Sequence, residues 1–162
     1  MSSGLVLPPL VLLEDFGNNW EDYFEAIYLY FCRDFVTSKP NFENKRFALK
    51  RYPLQKGKEA TFWHLILEGE VEVERLPDLR RCERIRWPRP MIEAIKTGKV
   101  KWWRNVRKAE TRILIALEDF SYLVVLADRG EYVMLWTAYC VEYDHRRRKL
   151  QDEYKNYWKE KG

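Results

Sequence analysis

One of only two histidines in the chain stands in Lys58-Glu59-Ala60-Thr61-Phe62-Trp63-His64. On a helix, Lys58, Thr61, His64 and Leu65 would lie roughly along one side. An imidazole and a nearby ammonium suffice for RNA cleavage without a metal. A base takes the ribose 2′-hydroxyl proton, an acid protonates the leaving 5′ oxygen, and cations stabilise the charged phosphorane. The plainer alternative is a partly buried histidine beside Phe62 and Trp63. A second constellation follows from period-two spacing. In a strand over 110–118, Arg112 points away from the more apolar face of Thr111, Ile113, Ile115 and Leu117. Thr137 and Tyr139 share one face of a later strand, opposite Trp136 and Ala138. Arg112 could hold a phosphate with its planar fork while the two hydroxyls add hydrogen bonds. Here the alternative is ordinary cross-strand packing with a solvated Arg112.

Basic runs interleave with tryptophans. Arg80, Arg81, Arg84 and Arg86 precede Trp87, and Lys99, Lys101, Arg104, Arg107 and Lys108 surround Trp102 and Trp103. Cations that follow a backbone and rings that stack on bases suit single-stranded nucleic acid. The densest cluster, His145-Arg146-Arg147-Arg148-Lys149, opens a charged terminal helix, where cations oppose the helix dipole. That placement implies either a bound phosphate or acids elsewhere in the fold. Arg81, Arg84, Lys101, Arg104, Arg107, Arg146 and Arg147 are therefore the candidate nucleic-acid contacts, with solvated charged faces as the alternative.

Other chemistries find little to work with. Neither histidine sits in HExxH or beside spaced cysteines, the seven glycines form neither GxGxxG nor GxxxxGK[ST], and GxSxG is absent. No metal and no cofactor is expected. Cys32, Cys82 and Cys140 are far apart, which indicates neither a zinc site nor a disulfide framework; an odd count suits a reducing cytoplasm. The apolar stretch 5–13 is broken by Pro8-Pro9 and lacks a basic start, so it reads as an arm over residues 1–18 packed on the domain rather than a signal peptide. No run is long and apolar enough to span a membrane.

These groups must be positioned by a chain of 162 residues, the size of one domain, 1–162, with 46% hydrophobic residues to build a core. Its 29 bases against 25 acids leave a net charge of only +4, which permits a polyanionic partner without demanding one. Trp20, Phe24, Ile27, Tyr28, Phe31 and Phe35 recur at helical steps behind Asn18/Asn19, predicting a helix over 20–38. A short strand is expected near 47–51, a helix over 58–68, an acidic stretch without period over 70–78, and a short helix after Pro90. Strands follow over 110–118, 122–127 and 132–142, then a helix over 144–161. Such close spacing favours an antiparallel meander. The expected class is α+β, with helices on one face of a four-stranded antiparallel sheet.

Several segments together resemble a known group: Gly57–Ile66, Arg75–Pro90, Glu110-Thr111-Arg112, Tyr122–Leu126, Leu135–Tyr139 and His145–Leu150. They are similar to a family of small prokaryotic and prophage-associated proteins grouped with the barnase–EndoU–colicin–RelE (BECR) nucleases. The likeness runs over about residues 45 to 155, and a leucine, Leu67, stands where that family leads one to expect a serine. It implies a metal-independent endoribonuclease, a toxin or antiphage element, built on the concave face of a four-stranded antiparallel sheet with helices behind. Carried over residue by residue, it places Lys58, His64, Arg112, Thr137 and Tyr139 in the catalytic site. RNA would be the substrate, and a separate acidic antitoxin or inhibitor protein would be the partner. A non-catalytic single-stranded nucleic-acid-binding module and a protein-interaction domain remain the other readings.

Overall fold

The computed structural model describes residues 4–68 and 76–162, so of the acidic stretch 70–78 only the last three residues fall within it. The architecture is α+β. Five helices, α1 (Trp20–Phe35), α2 (Ala60–Ile66), α3 (Leu79–Glu83), α4 (Pro88–Glu93) and α5 (Asp144–Lys161), accompany a five-stranded sheet among the described residues. Its strands are β1 (Arg46–Ala48), β4 (Lys101–Arg107), β5 (Glu110–Ala116), β6 (Tyr122–Asp128) and β7 (Tyr132–Cys140), in the order β1-β7-β6-β5-β4. A separate two-stranded pair, β2 (Leu67–Glu68) and β3 (Leu76–Pro77), follows α2.

Three expectations need correction. The antiparallel part does have four strands, β4 to β7, but its fourth member is β4, the basic segment around Trp102 and Trp103. The strand near 47–51 is the three-residue β1, which pairs parallel with β7, Phe47 opposite Val133, and makes the sheet mixed. Nor are the helices confined to one face. A first cluster joins Tyr23, Ile27, Phe31 and Phe35 of α1 to Ile113, Ile115, Val124, Leu126 and Leu135 of the sheet. A second cluster, on the opposite face, joins Leu150 of α5 to Trp103, Leu114, Ala116, Leu123 and Val125. Burial on both faces explains why β6 reads as nearly continuous apolar residues instead of alternating.

Local chemistry accounts for the elements. Asn19 caps α1 by accepting from the Asp22 backbone N–H at 3.1 Å. The helix stops at Phe35, short of the expected 38, and its buried stripe runs through Tyr23; Phe24 is only half-buried. Docking of α5 is fixed by Glu153, which accepts from Trp103 Nε1 at 2.8 Å and Asn105 Nδ2 at 2.6 Å. Pro88 opens α4, a position where its missing N–H costs nothing. In the N-terminal segment, Val11 N–H donates to the Glu83 carbonyl and Trp87 Nε1 to that of Pro8, both at 2.9 Å.

Asp128, at the end of β6, gathers three donors. Gly130 N–H lies at 2.9 Å, Lys45 Nζ at 3.3 Å and Arg104 Nε at 3.5 Å. Burial alone would raise its carboxyl, but these partners outweigh burial and hold it below its ordinary 3.8. A depressed carboxyl stabilises the fold fully above its unfolded value and loses that contribution as pH falls through the lower folded one. Asp128→Asn is therefore expected to lower stability at neutral pH and to flatten the acid limb below about pH 4, read by denaturant unfolding against pH. Parallel pH curves for the two proteins would refute this.

Candidate nucleic-acid and catalytic site

α2 is shorter than expected and begins at Ala60, so Lys58 lies in the preceding turn. Lys58 Nζ pairs with Glu25 at 2.8 Å and sits over the Tyr28 ring, on the α1 side. Lys58 and His64 thus do not share a helix face. This corrects the one-sided alignment, whose remaining members Thr61 and Leu65 are buried.

The end of α2 meets the exposed half of β7's edge, beyond the short pairing with β1. Its last carbonyls lack helical partners and take them from neighbouring elements. Thr137 Oγ1 donates to the His64 carbonyl at 3.1 Å, and Asp78 N–H to that of Ile66 at 2.7 Å. Arg81 Nη1 reaches the Leu67 carbonyl at 2.9 Å, Thr137 Oγ1 at 3.3 Å and the His64 carbonyl at 3.4 Å. Thr137 and Arg81 therefore position the backbone that carries His64. The Thr137 proton is committed to that carbonyl, which makes it a positioning residue in place of the phosphate hydrogen bond expected of its hydroxyl.

β7 carries a bulge. Val125 of β6 faces Thr137 while Leu126 faces Leu135, leaving Trp136 as the extra residue. The expected alternation of Thr137/Tyr139 against Trp136/Ala138 is broken there, and Trp136 packs with Tyr139 against the α5 cluster. The bulge brings Trp136 between two candidates. The His64 ring lies 5.1 Å from the indole and the Arg112 guanidinium 5.7 Å from it. Arg112 also approaches Glu110 at 3.5 Å, while its Nε has no hydrogen-bond partner among the described residues.

Further along β7, Tyr139 stands between two guanidiniums. Arg146 Nη2 donates to the Tyr139 hydroxyl at 3.0 Å, and Arg81 lies over the ring at 5.5 Å. They border a cleft of about 190 Å³ shared with Asp78 and Glu142. The hydroxyl accepts from Arg146 and keeps its own proton to donate. From Arg112 through Trp136, His64, Thr137 and Arg81 to Tyr139 and Arg146 the contacts are continuous.

The remaining cations are elsewhere. Arg104 lies on the α1 face of β4, stacked on Trp102 and paired with Glu43 at 2.6 Å, whereas Lys101 lies over Tyr154 of α5. Arg107 is exposed at the end of β4. Arg84 stacks on Trp87 and meets Glu83 at 3.6 Å. Arg147 is paired with Asp144 at 3.2 Å, an acid that offsets the basic start of α5. Lys101 and Arg104 lie on opposite faces of β4, so the candidate nucleic-acid contacts do not share one surface. The thiols are poor nucleophiles, since burial raises all three and pushes Cys82 up to about 12. Among the described residues no group of three or more His, Cys, Asp or Glu is arranged to hold a metal, and no helix is long and apolar enough to cross a membrane.

No family model matches the chain, and neither a curated protein nor a solved structure is significantly similar to it.

Proposed function

We propose that this protein is a metal-independent endoribonuclease that binds single-stranded RNA across the bulged half of β7. The observation that supports the reading is that an imidazole and the Arg112 guanidinium flank Trp136 while two further guanidiniums flank Tyr139 three residues along the same strand. His64 moves the proton. As base it takes the 2′-hydroxyl proton; the 2′ oxygen attacks the adjacent phosphorus, and the bond to the 5′ oxygen breaks as that oxygen is protonated. Arg112 holds the scissile phosphate, and Tyr139, oriented by Arg146, supplies a second proton or hydrogen bond to the phosphorane. Arg81 holds the His64 backbone. The products are a 2′,3′-cyclic phosphate and a 5′-hydroxyl.

A second reading, binding without cleavage, is favoured by one contact. The His64 ring lies against an indole, where it could serve as part of a stacking surface. End-labelled single-stranded RNA incubated with the purified chain and EDTA separates the two. Cleavage is expected to persist in EDTA, to leave cyclic phosphate ends, and to spare a strand whose 2′-hydroxyls are methylated. Intact RNA, or fragments ending in 3′-hydroxyls that require a divalent cation, would overturn the nuclease reading.

A further inference from the structure

We infer that the segment between α1 and α2 is a second binding track for single-stranded nucleic acid, with Arg46, Lys50, Arg51 and Lys56 on the phosphates and Tyr52 and Trp63 on the bases. The inference rests on the RNA-binding reading above and names the path by which a strand reaches His64. Residues 39–58 hold seven bases (Lys39, Lys45, Arg46, Lys50, Arg51, Lys56, Lys58) and one acid, Glu43. The runs that look more basic in the sequence are divided between faces of the fold, and each is paired in part: Arg104 meets Glu43 and Asp128, Arg147 meets Asp144, and Arg80 meets Glu142. In the segment 39–58, Lys45 meets Asp128 and Lys58 meets Glu25, while Arg46, Lys50, Arg51 and Lys56, four cations within eleven residues, have no ion pair among the described residues.

The segment lines two neighbouring concavities. One, of about 730 Å³, is bordered by Lys39, Lys45, Arg46 and Arg51 with Asn41 and Asn44. The other, of about 480 Å³, is bordered by Lys50, Lys56, Gln55, Phe24, Trp63 and His64. Neither has a carboxylate among its described lining residues. The chain passes from one to the other between Lys50 and Arg51, and there the backbone is pinned to the start of α2. Thr61 N–H donates to the Lys50 carbonyl at 2.9 Å and Ala60 N–H to that of Arg51 at 3.0 Å. The side chains are thus presented from a fixed backbone. Burial lowers the Lys39 ammonium, and the Arg51 charge adds to this against the opposing pull of Glu59.

Rings decide which polyanion fits. Tyr52 is 69% exposed beside Arg51, which leaves its ring face open to a stacked base. Trp63 is held by its indole N–H, which donates to the Gln55 carbonyl at 3.1 Å and leaves the ring to border the second concavity. An acidic protein would use the charges and waste the rings. A duplex keeps its bases stacked internally. A single strand uses both. His64 borders the second concavity and also touches Trp136, so a strand laid along residues 39–56 arrives at the imidazole.

The test uses the full chain and a fluorescent single strand of about a dozen 2′-O-methyl nucleotides, which bind but offer no 2′-hydroxyl for cleavage. Lys50→Ala/Arg51→Ala/Lys56→Ala is expected to reduce the slope of log affinity against log salt by about 2, near 0.7 for each phosphate no longer neutralised. Tyr52→Ala is expected to weaken strand binding about tenfold, the worth of one stacked base, and to leave binding of polyphosphate unchanged. Thermal melting and circular dichroism matching the native protein establish that the variants fold. Strand binding unaltered in the folded triple variant overturns the inference even where cleavage at His64 is found. Polyglutamate binding as tightly as the strand, with Tyr52→Ala silent, overturns it in favour of an acidic protein. Reduced strand binding in both variants upholds the track even where no RNA is cleaved.

Discussion

His64→Ala is expected to lower RNA cleavage by about 10²- to 10⁴-fold, the range for losing a positioned acid or base. Binding of an uncleavable strand should change far less, because the main-chain carbonyl that Arg81 and Thr137 hold survives the substitution. Arg112→Ala is the necessary comparison. The Arg112 cation is proposed to hold the phosphate in both ground and transition states, so its loss should weaken binding and cleavage together. Thr137→Val is a third arm. It removes the hydroxyl that fixes the His64 carbonyl but touches no reacting atom in the proposed scheme, so a modest loss of rate with unaltered product chemistry is expected. The decisive readout is single-turnover cleavage at saturating protein. Equal rates for the native protein and His64→Ala would remove the imidazole from the chemistry.

The largest effect on stability should come from Phe31→Ala, at about 3 to 5 kcal/mol for deleting a buried phenyl ring. Phe31 is fully buried, 5.5 Å from the Phe62 ring and 5.8 Å from that of Phe35. It therefore joins α1 to α2, and the void left behind cannot be filled by one neighbour moving alone. Against a typical total of about 5 to 15 kcal/mol, such a loss brings a domain close to unfolding. Leu29, on the same helix and 66% exposed, is the control; Leu29→Ala should fall within about 0.5 kcal/mol of the native protein. Urea unfolding midpoints measure both. Similar midpoints for the two variants would show that α1 does not carry the core as described.

Residues with strong periodicity were legible in the sequence. The Asn19 cap and the four-residue steps of Ile27, Phe31 and Phe35 yield α1, and the charged run 144–161 yields α5 with its observed bounds. β4 was hidden, because Lys101-Trp102-Trp103-Arg104-Asn105 alternates charges and rings on both faces. It is covered on one face by α5 and on the other by Phe42, a tertiary fact no local pattern carries. The parallel pairing of β1 joins residues far apart in the chain and leaves no periodic mark. At the site, alternation assigns Arg112 and Tyr139 each to a face of its own strand, β5 and β7, but the bulge at Trp136 is a single-residue irregularity that alternation cannot predict. Lys58 failed because the helix starts two residues later than its pattern suggested. The basic segment 39–58 was within reach: a count of charges per window finds it, whereas a search for consecutive arginines does not.

The late position of α5 has a consequence during synthesis. Every strand of the sheet is translated before this helix, so a growing chain holds Leu114, Ala116, Leu123 and Val125 without their cover until α5 has been made and docked. In that interval the nascent protein carries an apolar surface suited to chaperones and to unwanted self-association. Arg146 travels with α5, so Tyr139 acquires its second guanidinium only then. Assembly of that half of the site thus waits on the emergence and docking of α5, after every strand of the sheet has been made.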